Sequence, residues 1–159
     1  MELIKRQTVG VWMTLCTLIL SVISFVIYNV NISGAGYFHG ASVDTAVRYM
    51  VGAIAIGVCV IVLAQIPGEG VIGKVITILS DIARIAVPAL AIAAVLALVS
   101  ARVEGFAFIY FSNAEVLQEV QTPANISSAH GAIATIVVLA VTAIVGIVGA
   151  FFSTKKFNS

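Results

Sequence analysis

Four long apolar runs separated by short polar stretches organise this chain. They cover about 9–30, 49–66, 85–101 and 131–152. Each is close to the roughly 20 residues that carry a helix across a bilayer. Arg48 and Pro67-Gly68-Glu69-Gly70 bound the second run, Arg84 and Arg102 bound the third, and Lys155 and Lys156 close the fourth. Strands of a membrane barrel would alternate polar and apolar residues over about 10 positions. These runs are continuously apolar and rich in Ala and Leu, so the pattern predicts helices.

The stretch between the second and third runs has a different period. After the Pro-Gly turn signal, Lys74, Thr77, Asp81 and Arg84 recur at helical spacing with apolar residues between them. That is an amphipathic helix. It either lies flat at the membrane interface or forms the first half of a third helix extended back to residue 71. In the extended form Asp81 sits about 15 Å beyond the turn and approaches the bilayer middle. Pro88 marks a helix start or a kink.

Composition sharpens this picture. Of 159 residues, 61% are hydrophobic and 9% charged, and the mean hydropathy is +1.16. A soluble domain is nearer 45–50% apolar and about 25% charged, so a soluble fold would leave much of this apolar surface in water. The fold class expected is an all-α membrane bundle of four helices in one domain. The first run is longer than a signal-peptide core and reads as a retained span, although Ser33-Gly34-Ala35 resembles a cleavage site. A net charge of +1 gives no electrostatic case for nucleic acid.

Basic residues set the expected orientation. Lys5, Arg6, Lys74, Arg84, Lys155 and Lys156 flank one side. Arg48 and Arg102 flank the other, with the acidic Asp44, Glu104, Glu115 and Glu119. Both termini are therefore expected in the cytoplasm. Two outer loops follow, roughly 31–48 and 102–130. Their Tyr37, Phe38, Phe106, Phe108, Tyr110 and Phe111 read as headgroup anchors, with a partner-contacting platform as the alternative. A weak internal echo pairs Tyr37-Phe38-x-x-Ala41-x-Val43 with Tyr110-Phe111-x-x-Ala114-x-Val116, and Gly52-Ala53-Ile54-Ala55 with Gly131-Ala132-Ile133-Ala134. It suggests two duplicated helical hairpins related by an axis along the membrane normal.

Candidate chemistry is sparse. Thr14, Thr17, Ser21 and Ser24 form a hydroxyl stripe down the first helix, suited to close helix packing or to lining a path. Ala53 and Gly57 on the second helix, and Ala143, Gly146, Gly149 and Ala150 on the fourth, make further small faces. Asp81 and Arg84, three apart, share a face and can pair. Cys16 and Cys59 lie within apolar runs and read as small buried hydrophobes. His39 and His130 are the only histidines. No ligand spacing joins them to Asp44, Glu115 or Glu119, so no metal is expected. Asn31-Ile32-Ser33 and Asn125-Ile126-Ser127 are glycosylation triplets on the expected outer side. Nothing resembles a nucleophile triad, a P-loop or a dinucleotide fingerprint, so no catalytic residue or cofactor is expected. The carboxylate of small proton-coupled exporters is missing from the first helix, and no family is recognised.

The expected function is therefore non-enzymatic: an accessory or structural subunit of a larger membrane complex, in a transport or envelope assembly. Its partners would be the lipid bilayer and other membrane subunits or further copies of itself. The short loops point to a prokaryotic plasma membrane. The alternative is a small oligomeric channel or transporter with a Ser/Thr-lined path.

Overall fold

The computed structural model describes residues 8–66 and 70–154. These residues form five helices and no strand: α1 (Val9–Ser33), α2 (Asp44–Ala64), α3 (Gly70–Phe111), α4 (Ala114–Val120) and α5 (Pro123–Ala150). All but α4 are long and apolar enough to cross a membrane. Lys5, Arg6, Lys155, Lys156 and Pro67-Gly68-Glu69 lie outside the described residues.

Local chemistry sets the helix starts. Thr8 caps α1 by accepting from the Val11 N–H. Thr122 caps α5 by accepting from Asn125, with Pro123 in the first turn, where a missing N–H costs nothing. Asn113 caps the short α4 through Val116. The α2 start has no side-chain cap. Instead the Val43 N–H donates to the Tyr28 hydroxyl at 2.6 Å, so α1 satisfies that end of α2.

The amphipathic stretch before the third run is the first half of one continuous 42-residue helix, roughly 63 Å long at 1.5 Å per residue. The flat interfacial arrangement is not adopted. Pro88 sits inside this helix. Its ring nitrogen cannot donate to the Arg84 carbonyl four residues earlier, yet helical structure continues through it. At its other end α3 passes Arg102 and Glu104 and reaches Phe111. The expected outer loop 102–130 is therefore almost entirely helical, because hydropathy marks where apolar surface ends and says nothing of where helical hydrogen bonding ends. The two halves of the internal echo also differ in conformation. Tyr37-Phe38 lies in a turn, whereas Tyr110-Phe111 forms the last turn of α3.

The long helices pack as a ring in which α1 and α3 each contact both α2 and α5. The α1–α5 seam is antiparallel. Gly10 lies against the Phe152–Ser153 backbone, Gly149 against Met13, Gly146 against Thr17, and Gly131 against Asn31. The ends of α1 and α5 bearing the chain termini therefore share one end of the ring.

Buried positions recur every seven residues: Gly10, Thr17 and Ser24 on α1; Ala46, Ala53 and Val60 on α2; Gly73, Ser80, Val87 and Ala94 on α3; Ser128, Thr135, Thr142 and Gly149 on α5. A strict heptad keeps one seam facing its partner when helices coil gently around each other. Small residues dominate the seams, which lets backbones approach closely. Larger side chains (Tyr28, Met50, Leu98 and Leu139) fill the centre. Cys16 and Cys59 are free and exposed, contrary to their expected burial. Both fall off the heptad seams, on the outward faces of α1 and α2.

Candidate functional site

Two arginines on one helix define the most polar geometry in the molecule. Arg84 and Arg102 are both buried. They are eighteen residues apart, five full helical turns, so they project from the same face of α3 about 27 Å apart. Each reaches across to a backbone carbonyl of another segment.

Arg84 donates to the Gly149 carbonyl in the last turn of α5. A guanidinium there adds a charged donor to a carbonyl that also accepts from the Phe152 N–H at 3.1 Å, and it meets the negative end of the α5 dipole. Asp81 approaches Arg84 to 3.7 Å, but its side chain is 56% exposed. The carboxylate therefore sits at the rim, and the α5 terminus is the inner partner. Beneath the guanidinium, Thr14, Thr17, Gly57, Val60 and Gly146 enclose a cavity of about 20 Å³, the size of a single water. Ser80, one turn earlier, is buried with its hydroxyl unpartnered among the described residues.

Arg102 donates to the Ala41 carbonyl in the turn joining α1 to α2. Its guanidinium lies over the Phe38 ring, 4.4 Å from the centroid, a cation–π contact in a desolvated setting. Phe38 packs edge-on to Phe106 and Tyr37, and Tyr37 also meets Phe108. Gly105 makes room for these rings, since a methyl group there would lie 2.6 Å from Phe38. The Phe38 N–H donates to Ser128 on α5. Phe38 is thus an interior residue that ties the α1–α2 turn to α3 and α5, and not the headgroup anchor expected. Phe111 is 84% exposed, Tyr37 and Phe108 are partly exposed, and Tyr110 is half-buried.

The expected polar stripe divides. Arg84 points inward, Lys74 and Asp81 point outward, and Thr77 returns its hydroxyl to the Gly73 carbonyl at 2.8 Å. The hydroxyl stripe of α1 turns back on its own helix. Thr14 donates to Gly10, Thr17 to Met13, Ser21 to Thr17 and Ser24 to Leu20, all at 2.8–2.9 Å. Thr135 and Thr142 do the same on α5. Such i−4 bonds satisfy a hydroxyl without any partner helix. Ala53, Gly57, Ala143, Gly146 and Gly149 are all buried at helix contacts. Ser24→Ala is expected to change thermal stability in detergent by less than about 1 kcal/mol. A larger loss would mean that Ser24 bonds across the interface.

Both glycosylation triplets are engaged in structure. Asn31 lies in the last turns of α1. With its amide nitrogen turned toward α5, it donates to the Ser128 carbonyl (2.9 Å) and accepts from the Ala132 N–H (3.2 Å). Asn125 donates to the Val120 carbonyl at 2.8 Å. His39 donates from Nδ1 to the Gly34 carbonyl at 2.9 Å. Among the described residues, no group of three His, Cys, Asp or Glu side chains gathers to hold a metal.

Tyr28 and Ser128 are not candidates from the sequence, Asn31 enters there only through its glycosylation triplet, and Arg102 only as a span boundary. Two signals were present: the five-turn separation of Arg84 and Arg102, and the seven-residue recurrence of Ser128, Thr135, Thr142 and Gly149. No family model matches the chain, and comparison with curated proteins and with solved structures found no match either.

Proposed function

We propose that this chain is an integral membrane protein with both termini cytoplasmic, working as a non-enzymatic structural or accessory subunit of a larger membrane assembly. Arg84 and Arg102 bracket the apolar segment of α3, and their spacing of about 27 Å is close to the roughly 30 Å of bilayer hydrocarbon. The basic residues at the terminal end support the cytoplasmic assignment.

The observation that carries the subunit reading is the inner half of α3. Arg84 meets α5 in its last turn, so residues 70–83 run on past the end of α5 by roughly 20 Å. Along that projection Val71, Ile72, Val75, Ile78, Leu79 and Ile82 are each more than half exposed. Leaving such side chains in water costs about 1.5–3 kcal/mol apiece. A 63 Å helix is also longer than the bilayer needs, even when tilted. A partner subunit covering this face removes both difficulties.

The test is purification from native membranes in mild detergent after photo-cross-linking from Ile78 and, as a control, from Leu96. A discrete cross-linked partner from Ile78, absent from Leu96, is the expected result. A tight monomer with no adduct from Ile78 would reject the subunit reading. Flux in liposomes would then favour the channel alternative.

A further inference from the structure

We infer that the cleft between the end of α1 and the start of α5 is a binding site for one membrane lipid, held by its acyl chain and its uncharged ester neck. The cleft has a volume of about 480 Å³, within the range of small-molecule sites. It exists because Gly34, Ala35, Ala124 and Gly131 bring almost no side chain to this end of the seam.

The depth of the cleft identifies its occupant. A methyl group on Gly146 would meet Pro88 at 3.1 Å and Thr17 at 3.3 Å, so Thr17 and Pro88 share a level. The helices α1 and α3 run in the same direction. Fourteen residues further along each, Asn31 and Arg102 share a level about 21 Å away. The cleft therefore straddles the outer edge of the apolar segment. Val26, Ile27 and Val30 line it on the apolar side of that edge, and Asn31, Ser127 and Ser128 line it at and beyond the edge.

An occupant matching this gradient has an apolar tail and a hydrogen-bonding neck. No charged residue lines the cleft, so recognition falls on neutral acceptors and donors such as glycerol-ester oxygens. Ser127 is exposed, and its hydroxyl has no hydrogen bond among the described residues. It is the donor available to an ester carbonyl. The inference requires that the chain sits in a bilayer, but not that it is a subunit of anything.

The experiment uses the full chain in phosphatidylcholine vesicles containing a phosphatidylcholine analogue with a photoreactive acyl chain, followed by peptide mapping. Leu96 and Val137 lie at similar depth on other lipid-facing surfaces and are 62% and 53% exposed, against 52% for Val26 and 67% for Val30. Expected are adducts on Val26, Ile27 and Val30 several-fold above those on Leu96 and Val137. Filling the cleft with Ala124→Leu removes that excess. Ser127→Ala lowers it about fivefold, the effect of one net hydrogen bond. Should Ala124→Leu fail to fold, Ser127→Ala carries the test alone. Adduct yields that simply track exposure, or an excess that survives the variants, overturn the proposal. So does an excess seen only in phosphatidylglycerol vesicles, since that would mean recognition through charge.

Discussion

Arg102→Ala is expected to lower the unfolding free energy by about 3–5 kcal/mol. Three losses add up. The Ala41 carbonyl loses a charged donor, a hydrogen bond worth about 1.5–3 kcal/mol. Phe38 loses its cation, worth about 0.5–2 kcal/mol. A gap opens where the side chain packed against the ring. Arg102→Met should cost clearly less. It retains most of the volume and also relieves the expense of burying a charge, while leaving only the Ala41 carbonyl unpaired. Equilibrium unfolding in mild detergent measures both. Equal losses would mean that the guanidinium, and not the volume it fills, holds the turn between α1 and α2. A loss below about 1 kcal/mol for alanine would mean that Arg102 acts as an ordinary surface arginine.

The second large effect is expected at Gly146, where α1, α3 and α5 meet. A single added carbon already approaches Pro88 and Thr17 to 3.1 and 3.3 Å. Gly146→Ala can be absorbed by small shifts at a cost of about 1–3 kcal/mol. Gly146→Leu adds three more carbons where the adjoining cavity has room for a single water only, so the three helices must separate. Loss of the monodisperse species on size-exclusion chromatography is expected for Leu and not for Ala. A Leu variant that elutes and melts like the parent would place Gly146 on an open face and reject the packing described here.

Most of the helical content was legible from hydropathy, because a run of about 20 apolar residues has few ways to satisfy its backbone inside lipid. The ends of the helices were less so. Arg102 was expected to stop the third span, and it does close the apolar segment, yet the helix runs on to Phe111 because backbone hydrogen bonding does not require apolar surface. Asp44 and Arg48 were expected outside the second span, but they lie in the first turns of α2. An acidic residue favours a helix start even where it disfavours lipid. The hydroxyl stripe of α1 was visible in the sequence, but its bonding was not. The same Thr and Ser spacing serves an inward-facing bond or a return to the helix's own carbonyl. The inward role of Phe38 was hidden for a similar reason. An aromatic residue near a span boundary has one composition and two possible directions, and only Gly105 on a distant segment, by leaving room, decides between them.

The self-contained hydroxyls of α1 also bear on how the chain is made. Its packing partner α5 follows α2 and α3 out of the ribosome, so α1 has to remain in the bilayer without that neighbour while the middle of the chain is synthesised. Thr17, Ser21 and Ser24 would each present an unsatisfied polar group to lipid during that wait if their bonds ran to α5. Bonded instead to Met13, Thr17 and Leu20, they leave α1 chemically complete from the moment it is inserted, and the closing of the ring with α5 requires no exchange of hydrogen bonds along the stripe.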